Sequence, residues 1–389
     1  MPPGNAPSSV NSLDLMMMLV AGRERTATVS GIRRACESMP LLYRTLIFFW
    51  LIGAVARAHA LTIELNVTAD TSEFFGAGNP AGPAAGAQAH AALRAATAFF
   101  ESILVDDLVA ISPSAGNTWT RRYSHPGTGQ FISETNRTVP ANTFVLFVGA
   151  RDLEGGTLAR TTEVQTQAQG SQQWQQTVMY RGQTGAPLSD LGPWGGSIAF
   201  DLNTAWHFDY TAPLPTNRVD FYSIALHEIA HALGFGSATS WRAKNGVENF
   251  QLVFRGPRVL AVYGQGAPLA ADHWADDVMS RVFPGGAVQE ASMTPALGFG
   301  VRRFCTDLDV AALEDMGWKI RPGGAPTLTI VRTPPGQATI SWAPATPGFV
   351  LQEKTNLTSG NWSNSPSGST NPITVPATFP TKFYRLFQP

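Results

Sequence analysis

Cysteine is nearly absent from this chain, with two residues in 389. Cys36 falls in an N-terminal stretch expected to be removed, so Cys305 would stand alone and no intramolecular disulfide could form. Stability must then come from an apolar core or from bound metal. Charge is also scarce, at 14% of residues, and 27 basic side chains nearly cancel 28 acidic ones. A nucleic-acid-binding chain would show a basic excess or stripe, so no nucleic-acid partner is expected. The apolar run at 45–55 (TLIFFWLIGAV) has eleven residues, well short of the roughly 20 needed to cross a bilayer. No period repeats along the chain, which excludes a solenoid. What is plentiful is apolar and aromatic surface, 44% and 10%, too much for a chain disordered throughout. With 37 glycines and 28 prolines, irregular connections are expected between the elements.

The short apolar run reads as an address. Arg33, Arg34 and Arg44 precede it, and Ala58, His59 and Ala60 follow it as a small-x-small site. Basic region, apolar region and cleavage site are the three parts of a secretory signal peptide. Residues 1–60 are therefore expected to be a signal peptide cut after Ala60, leaving a secreted chain with no membrane contact. Residues 1–38 read as a misassigned extension, since Met39 is a more ordinary start. The alternative is an uncleaved anchor.

The remainder reads as an α+β domain over 61–320, a linker at 321–326 (RPGGAP) and a small all-β sandwich over 327–389. Residues 61–67 alternate as a strand, and the Gly/Ala/Pro stretch 76–86 reads as a loop. Helical spacing over 90–104 puts Leu93, Ala96, Phe99, Phe100, Ile103 and Leu104 on one side. Residues 143–148 (TFVLFV) and 195–201 (GGSIAFD) are strand candidates, and the Gln-rich stretch 165–182 reads as a solvated loop. A helix is expected over 220–233, with Asp220 as N-cap and Gly234 as the stop. Beyond the linker, 327–331, 338–342, 349–353 and 383–387 look like short strands between Pro, Gly, Ser and Asn residues.

One motif carries chemistry. His227-Glu228-Ile229-Ala230-His231 is an HExxH on the expected helix. Residues i and i+4 share a helical face, so both imidazoles can address one ion. Neutral imidazole nitrogen is a standard zinc ligand. Glu228 can reach water at the metal without ligating the ion, as a general base. With only seven histidines in the chain, chance would give the motif in roughly one such sequence in a few hundred.

HEIAHALGFG, residues 227–236, resembles the zinc-binding helix of the metzincin metallopeptidases, HExxHxxGxxH with a Met-turn downstream. In that pattern the glycine, here Gly234, lets the chain turn off the helix so that a third histidine reaches the metal. Position 237 is serine, a poor zinc ligand, so the third ligand must come from elsewhere. His90, His125, His207 and His273 remain outside the motif and the signal peptide. His273 lies 42 residues after His231, and Met293 follows in Ser292-Met293-Thr294-Pro295. That order of helix, insertion, late histidine and methionine turn is similar to the leishmanolysin-like branch. Residues 293–318 are similar to the closing helix of related bacterial secreted metallopeptidases.

The resemblance implies a twisted mixed sheet plus a zinc-binding helix. It also implies Zn2+ held by His227, His231 and His273, Glu228 as the catalytic base, and Met293 as a Met-turn residue forming an apolar floor. In such enzymes an antiparallel edge strand takes up the substrate backbone, and 195–201 could play that part. Met279 is a rival for the Met-turn, but it lies close to His273. A glutamate-ligand site at Glu248 lacks its supporting pattern, and Asp272, which an aspartate-ligand version could use, has a histidine beside it. Structural Ca2+ is open but not indicated, since scattered Asp residues without a loop pattern decide nothing.

The expected function is a secreted zinc endopeptidase acting on protein or peptide substrates. One rival is a zinc hydrolase of non-peptide amides or esters. Another is a binding or adhesion protein with a degenerate zinc site, its function carried by the C-terminal module. That module resembles accessory sandwich domains of secreted bacterial proteins, and cell-surface or polysaccharide contact is open to it.

Overall fold

A computed structural model describes residues 61–389 except 163, 184–190, 322–326, 334–335, 344–348, 357–360, 367, 369, 378–380 and 388–389. The expected signal peptide, Cys36 and all of the linker except Arg321 lie outside the described residues. No described helix is long and apolar enough to cross a membrane.

The first strand, β1 (Thr62–Asn66), follows the expected alternation. It is followed by the helix α1 (Pro83–Ile103), which starts earlier than its apolar spacing foretells. Pro83 opens the helix, where its missing N–H costs nothing, and this draws part of the expected loop into the helix. The strands β2 (Thr118–Ser124) and β3 (Phe131–Thr135) form a hairpin, and β4 (Thr143–Arg151) is the longest strand. Then come β5 (Ala159–Thr162) and β6 (Gln165–Gln169), the helix α2 (Gln172–Tyr180), and β7 (Gly195–Asp201).

The main sheet has the order β1-β4-β7-β5. β1 and β7 each pair in parallel with β4, and β5 runs antiparallel to β7. Sidedness explains the unbroken apolar run of β4. Phe144, Leu146, Val148 and Ala150 enter the main core with Leu93, Phe100, Ile103 and Ile229. Val145 and Phe147 enter a second cluster with Trp119, Tyr123, Trp174 and Trp194. A strand covered on both faces carries no polar alternation. The second face is roofed by the sheet β3-β2-β6 and by α2.

That roof corrects the solvated-loop reading of 165–182. Gln165–Gln169 pairs with β2, and Trp174 and Val178, one helical turn apart, are buried. Ser171 caps the helix by accepting from the Trp174 N–H at 3.2 Å. Two apolar anchors suffice in this element, and the surrounding glutamines hide them from a composition-based reading.

The short strands β8 (Trp206–His207) and β9 (Val219–Asp220) lead into α3 (Phe221–Ala232), the HExxH helix. Asp220 caps it as expected, its Oδ2 accepting from the Ser223 N–H at 3.1 Å. An excursion follows, comprising α4 (Thr239–Arg242), β10 (Asn245–Glu248), β11 (Gln251–Phe254), α5 (Pro257–Tyr263), β12 (Ala267–Ala270) and β13 (His273–Trp274). Its strands form one antiparallel sheet in chain order. A hairpin, β14 (Met279–Arg281) and β15 (Val288–Glu290), precedes the closing helix α6 (Asp307–Asp315). Cys305 is buried, and burial pushes its thiol well up, which keeps it unreactive.

The C-terminal strands are β16 (Thr327–Thr333), β17 (Gln337–Ala343), β18 (Val350–Lys354), β19 (Ser363–Asn364), β20 (Ile373–Pro376) and β21 (Phe383–Phe387). They form two three-stranded sheets, β16-β17-β20 and β19-β18-β21. Both contribute to one small apolar cluster around Ile340, Trp342 and Leu351.

Candidate metal centre

Helix α3 supplies two rings by its periodicity alone. The Nε2 atoms of His227 and His231 lie 3.0 Å apart. The helix then stops. Gly234 takes φ 105° and Gly236 φ 81°, and a Cβ on Gly236 would stand 2.5 Å from the Asp272 carbonyl. Only glycine permits that approach, and it lets the returning chain lie against the helix end. The chain comes back at β13, where His273 pairs with Ala270. His273 Nε2 lies 3.1 Å from His227 Nε2 and 3.0 Å from His231 Nε2.

These contacts are not hydrogen bonds. His227 Nδ1 donates to the Ser292 carbonyl (2.8 Å) and His231 Nδ1 to the Phe235 carbonyl (2.9 Å). His273 Nδ1 donates to Asp272 Oδ1 at 2.7 Å. A carbonyl or carboxylate can only accept, so each ring carries a proton on Nδ1, and in the neutral form Nε2 presents a bare lone pair. Three lone pairs converging at 3.0–3.1 Å repel one another unless a cation lies among them. Burial lowers both His227 and His231 from 6.5 to about 4. They are neutral at ordinary pH, the form that ligates metal. His227, His231 and His273 are close enough to hold one metal ion, and they are the one such group of His, Cys, Asp or Glu among the described residues. A three-nitrogen donor set with anchored second nitrogens fits zinc.

Glu228 is 6% exposed and lines the same cleft, of about 1430 Å³, as the three histidines. Its Oε2 accepts from Thr161 Oγ1 at 2.6 Å. Met293 is wholly buried, and its carbonyl accepts from the Trp274 N–H at 2.9 Å, one residue beyond His273. Met279, its rival, is half exposed on a hairpin, and Ser237 lines the cleft without joining the histidines. Asp272 serves as the partner of the His273 ring. Burial raises its carboxyl, but the adjacent ring outweighs that and holds it below the ordinary carboxylate value.

Asp309 was not foreseen as part of the site, though it holds much of it. Its Oδ1 accepts from Trp274 Nε1 (2.8 Å) and the Met293 N–H (3.3 Å). Its Oδ2 accepts from the Ser292 N–H (3.0 Å) and from the Thr306 N–H (2.7 Å) and hydroxyl (2.8 Å). One buried carboxylate thus fixes the residue after His273 and the residue whose carbonyl orients His227. The sequence signal was the capping box Thr306…Asp309 at the start of α6, which reads as a helix start and nothing more.

The substrate-edge expectation is also corrected. Residues 195–201 form β7, which is buried throughout and lies between β4 and β5. The free edge beside the cleft is β5, Ala159–Thr162. Its sequence, ARTT, is short and mostly polar, as exposed edges are, and leaves no apolar signature. No family model matches the chain, and no curated protein or solved structure does either.

Proposed function

We propose that this chain is a secreted zinc-dependent endopeptidase of metzincin type. The observation that carries the reading is the convergence of three bare imidazole nitrogens in a cleft that also holds Glu228 and a free antiparallel strand edge. His227, His231 and His273 would hold the ion, which when bound polarises a carbonyl oxygen and acidifies water. The Glu228 carboxylate takes the proton of the attacking water and delivers it to the leaving amine. The edge of β5 lines the cleft, where an extended peptide can add as a further strand. This favours a peptide over a small amide or ester, which could not use a strand edge.

Replacing Glu228 tests the assignment. Glu228→Gln should bind zinc at the parent stoichiometry and lose about 10²–10⁴-fold in casein cleavage. Cleavage at the parent rate would overturn the mechanism.

A further inference from the structure

The strand β5 touches the cleft in two ways at one residue. Asp201 N–H donates to the Leu158 carbonyl at 2.9 Å, just before the β5–β7 register of Ala159 with Phe200 begins. In an antiparallel pair the hydrogen-bonded positions alternate. Arg160 and Thr162 therefore turn their main-chain groups toward β7. Ala159 and Thr161 turn theirs outward, to the free edge. The Thr161 side chain points instead to α3, where its hydroxyl lies 2.6 Å from Glu228 Oε2 and 2.9 Å from the Glu228 carbonyl. A hydroxyl has one proton, and the shorter contact, to the carboxylate, takes it. No other hydrogen bond reaches the Glu228 carboxylate among the described residues, so Thr161 is its one anchor.

We infer that Thr161 is the positioning residue for Glu228: its hydroxyl fixes one carboxylate oxygen while its main chain offers the hydrogen-bonding pair that a substrate strand would take. The inference rests on the endopeptidase reading. It deepens that reading by linking substrate docking to the orientation of the base. A peptide adding at the edge pairs with the same residue that holds the carboxylate, so scissile bond and base share one reference point. Misplacing a catalytic group by about 1 Å can cost on the order of 100-fold in rate.

Two substitutions separate the hydroxyl from the packing. Thr161→Val keeps the volume and β-branching and removes the donor. Thr161→Ser keeps the donor and removes a methyl group. Zinc content, kcat and KM on one peptide, and a crystal structure of each variant would be compared with the parent protein. The expected result is that Thr161→Val loses about 10–100-fold in kcat with little change in KM, while Thr161→Ser stays within about threefold of the parent and zinc content is equal in all three. The Glu228 carboxylate should leave its parent position in the Val crystal and keep it in the Ser crystal. Equal kcat for Val and parent, equal losses in Val and Ser, or an unmoved carboxylate in the Val crystal would each overturn the role. If the parent cleaves no peptide although the carboxylate moves as expected, the endopeptidase reading fails while the anchoring of Glu228 stands.

Discussion

The two arms of the candidate metal centre are built in opposite ways. His227 and His231 share one helix, and their 3.0 Å approach follows from α-helical periodicity. His273 reaches the same point after 42 residues of excursion, and although Asp272 orients its ring, no helical periodicity brings it there. Its position depends on a four-stranded antiparallel sheet, on the close pass at Gly236, and on Trp274 packed against Phe235, Trp241 and Phe254. The helical arm is positioned by local geometry, whereas the distant arm is positioned by hydrogen bonds and aromatic packing gathered from several elements. A defect outside the centre should therefore injure the distant arm first.

Asp309 offers the strongest way to break this asymmetry. Asp309→Ala leaves five donor groups without their acceptor, including the Trp274 indole and the Ser292 and Met293 N–H groups. Breaking a buried polar network of this kind should cost about 3–5 kcal/mol, read from denaturant unfolding. Zinc binding should weaken further than the stability loss alone explains, because Trp274 beside His273 and Ser292, whose carbonyl orients His227, both lose their anchor. A variant as stable as the parent and equally tight for zinc would show that the arm needs no such hub.

Acid tests the helical arm. His227 and His231 titrate at about 4 in the fold, below the ordinary 6.5, because burial disfavours their charged form. Between those values the unfolded chain binds protons that the folded chain refuses. In metal-stripped protein the neutral rings are harmless above pH 6.5, and stability falls as the pH drops from 6.5 toward 4. The loss should approach about 3 kcal/mol per ring, and bound zinc, which keeps the folded rings unprotonated, should raise stability overall without flattening this slope. A flat profile across that window would mean that the rings are solvated.

Asp272→Asn is the mildest intervention. It keeps an acceptor for His273 Nδ1 but removes the charge, which should weaken zinc affinity by about 10–100-fold with little change in folding stability. An equal loss from weakening the contact at His231, whose Nδ1 is held by a backbone carbonyl, is not expected.

The same contrast explains how much could be read before the structure. The HExxH helix, its Asp220 cap and its Gly234 stop are local patterns, and each is found in place. The strand β4 was legible because burial on both faces leaves a continuous apolar run. His273 could be singled out only through the order of motifs in a resembling family, since sequence distance carries no record of the sheet that returns it to the helix. The edge strand β5 and Asp309 were not legible as parts of a site. A free edge kept short and polar resembles a loop, and a buried carboxylate that holds other residues in place looks like an ordinary helix cap. Roles of that kind belong to the packing and become visible only with it.

The most direct measurement is diffraction at the zinc absorption edge from crystals of the full protein grown with one equivalent of zinc. One anomalous peak about 2.0–2.1 Å from the Nε2 atoms of His227, His231 and His273 is expected. A peak elsewhere, or one whose third ligand is a side chain other than His273, would contradict the two-arm description of this centre.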